Sequence, residues 1–198
     1  MSRLLGLSDS LFLRFNDLAR TTTALHAPAV AYATYGVVVF AALVVLGVWR
    51  RRRASDRQLA AALWAGLGTA LAIAVNQPVA ALVAEPRPYA AHPAALTLVD
   101  RTTDWSFPSD HSVMAGAVAV GLLVVSRRLG ALAAAAAVLM AVTRVYVGAH
   151  YPHDVVAGLA LGGVVAGVGW LLVRLPLTRL AGALRRLPVV HRVLAPAA

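Results

Sequence analysis

The chain has 198 residues, of which 60% are hydrophobic and 13% charged, and it contains no cysteine. That balance excludes an ordinary soluble domain and makes the bilayer the solvent to reason against, while the missing thiols exclude disulfides and thiolate metal sites. The formal charge of +10 raises the question of a nucleic-acid partner, which the distribution of the charges answers in the negative.

Residues 1–27 carry Leu4, Leu7, Leu11, Phe15 and Leu18 at helical spacing, interrupted by Arg3, Asp9, Arg14, Asp17 and Arg20. This pattern predicts an amphipathic helix lying in the membrane interface. The same interruptions argue against a signal peptide, whose apolar stretch is continuous.

A window of about 20 apolar residues spans the hydrocarbon core. Such windows lie near 28–49, 59–84, 109–126, 130–147 and 154–175. The expected fold is therefore all-α: a polytopic membrane helical bundle of about five transmembrane helices plus the N-terminal interfacial helix. It forms one membrane-embedded domain over 1–198, with a core at 28–175 and a basic tail at 176–198. Within the second window, Asn76 and Gln77 precede Pro78, and Asn76 is expected to bond a neighbouring helix or the carbonyls that the proline leaves free.

The arginines sort by loop. Arg50, Arg51, Arg52, Arg53, Arg57, Arg127, Arg128, Arg174, Arg179, Arg185, Arg186 and Arg192 fall on one side, with Asp56 as their only acidic companion. On the other side six arginines meet seven acids. The positive-inside rule then puts the basic tail in the cytoplasm and the N-terminus outside, with the connections 85–108 and 148–153 also outside. Abundant alanine, glycine, valine and proline, with isoleucine and asparagine scarce and lysine absent, point to a GC-rich bacterial source, and the expected location is a bacterial plasma membrane.

Three polar clusters lie at the outer ends of these spans: "EPRPY" (85–89), "PSDH" (108–111) and "TRVYVGAHYPHD" (143–154). Ser109 is a candidate N-cap, which puts Asp110 and His111 in a first helical turn beside unpaired backbone N–H groups, where anions are favoured. Arg87 and Arg144 supply planar, permanently charged forks for phosphate oxygens. His150 and Asp154 share one helix face if Pro152 opens the last span. The carboxylate then fixes the imidazole tautomer and leaves the other nitrogen free to attack. His111 is available to protonate a departing oxygen.

These residues resemble the motifs of the type-2 phosphatidic acid phosphatase superfamily, K-x6-R-P, P-S-G-H and S-R-x5-H-x3-D. Within that superfamily the "PSDH" variant and the "GAHYPHDVVAG" wording look most like the bacterial undecaprenyl-diphosphate phosphatases of the bacitracin-resistance type. The resemblance implies His150 as nucleophile, Asp154 as its orienting partner and His111 as general acid. It makes Arg87, Ser109 and Arg144 phosphate ligands, with Asp110 contributing a backbone N–H. It also implies a phosphohistidine intermediate, no metal and no cofactor, and a polyprenyl diphosphate or other lipid phosphate as substrate.

The chain departs from the first motif. Ala80 stands where lysine is expected, so either Arg101 supplies the missing charge or two arginines suffice. Glu85 either holds Arg87 in place or handles the proton of a diphosphate. His153 is expected to be merely a polar interfacial residue, and Trp105 an interface anchor.

Overall fold

The computed structural model describes residues 2–187; the rest of the expected tail and the side chains of residues 2–4, Leu4 among them, lie outside the described residues. The elements are α1 (Ser2–Thr21), a 3-10 turn (Thr23–Leu25), α2 (His26–Tyr35), α3 (Val37–Arg51), α4 (Asp56–Val83), α5 (Pro88–Ala91), α6 (Asp110–Val125), α7 (Arg127–Tyr146) and α8 (Pro152–Arg185). The all-helical membrane bundle expected from the sequence is what the chain forms.

By length and composition, α4 with its continuation to Ala91, α7 and α8 are each able to cross a bilayer, and α2 with α3 passes as a pair bent by 50°. The window at 28–49 is thus two helices. They break at Gly36, where Met140 Cε lies 2.5 Å from the place a β-carbon would take. The window at 109–126 is α6, and its 16 residues extend only about 24 Å, short of a hydrocarbon core about 30 Å thick. Its apolarity suits an interior position: α6 is the central post of the bundle, packed against α4, α7 and α8, with residues on every face buried.

Small residues let these helices close. A β-carbon on Gly162 of α8 would stand 1.9 Å from the Val113 carbonyl oxygen of α6, so the two backbones approach as only glycine permits. Trp64 of α4 reaches across to α8 and donates its indole N–H to the Ala166 carbonyl at 2.8 Å. Leu59, Ala65, Ala115, Val118, Leu122 and Met140 fill the space between.

At the arginine-rich end, Ser55 caps α4 by accepting from the Gln58 N–H. Arg185 is buried there, donating to Asp56 Oδ1 at 2.7 Å and to the Arg52 carbonyl at 3.0 Å. Residues 176–185, in the basic tail read from the sequence, continue α8 and dock onto the start of α4, where this buried guanidinium has its partners. The other end of α4 leads through Ala84 to Glu85 and the "EPRPY" cluster, so the basic end and the polar clusters lie at opposite ends of the bundle.

Helix α1 packs on α7 and α8. The face turned to the protein is Ser8, Phe12, Asn16 and Ala19, all buried, while Leu7 and Leu18 are exposed. Of the apolar stripe read from the sequence, Phe15 packs against the bundle while Leu7 and Leu18 face away from it. Polar contacts tie the packed face down: Asn16 donates to the Leu96 carbonyl at 2.7 Å and accepts the Leu96 N–H at 3.0 Å.

Candidate active site

Gly148 lies in the turn between α7 and α8 with φ +79°, and a β-carbon there would stand 2.4 Å from the Leu96 carbonyl oxygen. Glycine is required on both counts. The turn delivers Ala149 and His150 to the bundle end, and Pro152 opens α8 at its first position.

His150 is fully enclosed. Its Nδ1 lies 2.9 Å from the Ser106 carbonyl oxygen, and its Nε2 lies 3.0 Å from Arg87 Nη1. A carbonyl can only accept and a guanidinium can only donate, so the proton is on Nδ1 and the Nε2 lone pair accepts from Arg87. The spacing argument assigned the orienting contact to Asp154, but Asp154 Oδ2 is 3.5 Å from Nδ1. That oxygen instead accepts from Ser106 Oγ at 2.5 Å and from the Tyr151 N–H at 2.8 Å. Asp154 therefore holds the residue whose carbonyl orients His150. Ser106, a hub joining His150, Asp154 and the Glu85 carbonyl, carried no motif signal.

Burial, reinforced by the charges of Arg144 and Arg87 and opposed by Asp154, holds the His150 imidazolium to a pKa of about 4, below the ordinary value.

Arg87 Nη1 also donates to the Ala149 carbonyl at 3.1 Å, and its Nη2 pairs with Asp104 at 2.7 Å. Glu85, expected as one option to hold Arg87, does not do so; Asp104 does. Glu85 pairs with His153 at 3.0 Å, so His153 is part of an ionic cluster rather than an isolated polar residue at the interface. Arg144 is buried, and its Nε has no hydrogen-bond partner among the described residues. A buried guanidinium left in this state is suited to an anionic ligand.

A cavity of about 310 Å³ brings the predicted residues together, its wall including Arg87, Asp110, His111, Arg144 and His150. Asp104 and Asp100 also line it, so the arginines face carboxylates as well as open space. Arg101 is not on this wall; its guanidinium lies over the Tyr89 ring, 5.4 Å from the centroid. It does not replace the lysine missing at Ala80.

Ser109 takes the N-cap position of α6, but its side chain makes no capping bond. Its Oγ is buried and has no partner among the described residues, and it is not on the cavity wall. Asp110 is held by α4: Asn76 and Gln77 donate to its Oδ1 at 2.7 and 3.1 Å. Asn76 also donates to the Pro108 carbonyl at 3.1 Å, so it bonds a neighbouring segment and fixes the start of α6.

This arrangement can bind a phosphoryl group between two guanidinium groups and the first turn of α6, with one imidazole lone pair and a second imidazole on the same wall. Known proteins place it. The family model described as the PAP2 superfamily matches residues 61–176, which contains all three polar clusters. The undecaprenyl-diphosphatase BcrC of Bacillus subtilis is 29% identical over 155 residues, 78% of each chain. The decaprenylphosphoryl-5-phosphoribose phosphatase of Mycobacterium tuberculosis is 35% identical over 134 residues, 67% of this chain and 69% of that one. In fold, the crystal structure of a transmembrane PAP2-type phosphatidylglycerolphosphate phosphatase from Bacillus subtilis superposes with a TM-score of 0.50 at 22% identity, over 91% of this chain and 98% of that one. With the helical bundle, the joined clusters and a match across more than half its length, the chain belongs to the PAP2 superfamily.

Proposed function

We propose that this protein is an integral membrane lipid phosphatase hydrolysing a polyprenyl diphosphate, undecaprenyl or decaprenyl diphosphate, to the monophosphate. It acts on the extracytoplasmic face of a bacterial plasma membrane and so recycles a cell-wall lipid carrier. One observation carries the reading. The unprotonated Nε2 of His150, two buried arginines and His111 line one cavity at the end of the bundle away from the clustered arginines.

The diphosphate headgroup enters the cavity and draws Arg87 off His150 Nε2. That nitrogen attacks the terminal phosphorus, forming an N–P bond as the bridging P–O bond breaks. His111, which takes up a proton as the anionic headgroup binds, gives it to the departing oxygen, releasing the lipid monophosphate. The Nδ1–H of His150 stays on the Ser106 carbonyl, which holds the ring in line. Neutral His111 then takes a proton from water as the water oxygen attacks phosphorus. The N–P bond electrons return to Nε2 and inorganic phosphate leaves. Arg87, Arg144 and the first amides of α6 bear the charge on the equatorial oxygens in both steps. No step requires a metal or cofactor.

The likeness to the mycobacterial relative favours a second reading, a phosphate monoester on a prenyl-linked sugar. Detergent-purified protein given undecaprenyl diphosphate and decaprenylphosphoryl-5-phosphoribose side by side separates the two. Release of phosphate at least about tenfold faster from the diphosphate, a margin of about 1.4 kcal/mol in transition-state binding, is expected. The reverse order supports the ester, and release from neither leaves a binder without catalysis and overturns both.

The acidic limb of kcat/KM reports the free enzyme. Proton binding at Nε2 removes the nucleophile, so activity is expected to persist as pH falls through 6.5 and to be lost near pH 4, where His150 becomes charged. A pH–rate profile checks this; a limb at about 6.5 would exclude a buried neutral His150 as the group titrating.

A further inference from the structure

Behind the nucleophile lies a second cluster that the proposed reaction does not use. His153 Nε2 stands 3.1 and 3.0 Å from the two Glu85 carboxylate oxygens and 3.2 Å from Asp154 Oδ1. One ligand-type atom from each of the three residues lies within 4.8 Å of the others. Asp154 Oδ1 is fully buried and, unlike Oδ2, accepts no hydrogen bond from the described residues. On the other edge of the ring, Nδ1 is 2.8 Å from Ser8 Oγ of α1, which also accepts the His153 backbone N–H at 3.1 Å.

Two carboxylates converging on one ring nitrogen repel a bare lone pair, so a cation belongs among them. Either a proton on Nε2 or a metal ion supplies it. The distances suit a metal. Zinc-type ions hold imidazole nitrogen at about 2.0–2.1 Å and carboxylate oxygen at about 2.0–2.2 Å, which separates tetrahedral ligand atoms by roughly 3.3 Å, close to the spacing found. One neutral imidazole and two carboxylates balance a divalent charge, and a mixed N/O donor set suits the first-row ions around zinc. Ser8 accepting from Nδ1–H would leave Nε2 as the ligand atom, the outer-sphere arrangement that fixes metal-binding histidines. The Glu85 and His153 side chains are a quarter exposed, which leaves an entry path and room for water as a further ligand.

We propose that Glu85, His153 and Asp154 form a binding site for a divalent transition-metal cation of the zinc class, with Ser8 setting the His153 tautomer. None of the three ligands lines the phosphate cavity, so the site does not enter the phosphoryl transfer. It shares only Asp154 with the machinery there, and joins α1, the segment after α4 and the start of α8. An ion bound there stabilises the folded chain by mass action.

The test uses the full chain, tag-free and in detergent, titrated with Co²⁺ and competed with Zn²⁺. A saturable Co²⁺ visible band at one ion per chain, displaced by Zn²⁺, is expected. Ser8→Ala, which keeps all three ligands, is expected to weaken Co²⁺ binding about 10- to 100-fold, and Glu85→Gln, nearly isosteric, by at least as much. His92→Gln, which removes the separate Asp9–His92 pair of 2.6 Å, is expected to leave binding unchanged. No saturable band, or affinity indifferent to Ser8→Ala and Glu85→Gln, would falsify the site and leave a proton as the cation between the carboxylates.

Discussion

His150→Ala is expected to lower kcat by at least about 10⁴-fold, because the proposed covalent step is made by its Nε2. A factor of that size is about 5.5 kcal/mol of transition-state stabilisation, more than positioning by Arg87 and Arg144 alone is asked to supply. The substitution also frees the Ser106 carbonyl and one Arg87 contact, so folding is checked in parallel by size-exclusion and thermal unfolding in detergent. His150→Gln preserves more of the packing and offers no nucleophilic nitrogen, and the same loss is expected from it. Acid-labile phosphate trapped on the protein by rapid quench is expected to disappear in both variants. Folded protein that retains turnover or still traps phosphate would end the assignment.

His111→Ala is expected to cost about 10²- to 10⁴-fold, the usual range for a general acid or base, and its size is expected to depend on the leaving group. A sugar alkoxide, the leaving group of a phosphate monoester on a prenyl-linked sugar, departs poorly without a proton, so with that substrate the full loss falls on the first step. A prenyl monophosphate, with a second pKa of about 6, leaves readily as the anion, so with a diphosphate the first step is largely spared. The missing base then slows the second step, and phosphoenzyme is expected to accumulate as a burst. A uniform loss across both substrates with no burst would give His111 a binding role only. The cavity places it on the wall shared with His150, Arg87 and Arg144, the location that a role at the departing oxygen requires.

Much of the architecture was legible because it depends on near neighbours in the chain. Hydropathy over about 20 residues located the apolar rods. Pro152 marked the start of α8, and Ser109 the start of α6, from local chemistry alone. The window at 109–126 located α6 but not its surroundings, for a physical reason: a helix enclosed by protein and a helix enclosed by lipid are equally apolar, and only the neighbours of α6 distinguish them. Likewise the exposed leucines of α1 and its buried face of Ser8, Phe12, Asn16 and Ala19 are both helical stripes, and what docks on α1 decides which is covered.

The residue types for phosphate chemistry, His111, His150, Arg87 and Arg144, were readable from the sequence, since each sits in a motif with its own spacing. Their partners were not. Arg87 takes Asp104 rather than Glu85, His150 takes the Ser106 carbonyl ahead of Asp154, and His153 meets Ser8 across 145 positions of sequence. Composition and spacing by themselves pointed to an all-helical membrane chain with its candidate phosphate-binding residues gathered at helix ends. Tertiary structure alone decided which donor faces which acceptor, because a hydrogen bond is set within a few tenths of an ångström by how separate helices pack, and no local pattern encodes that distance.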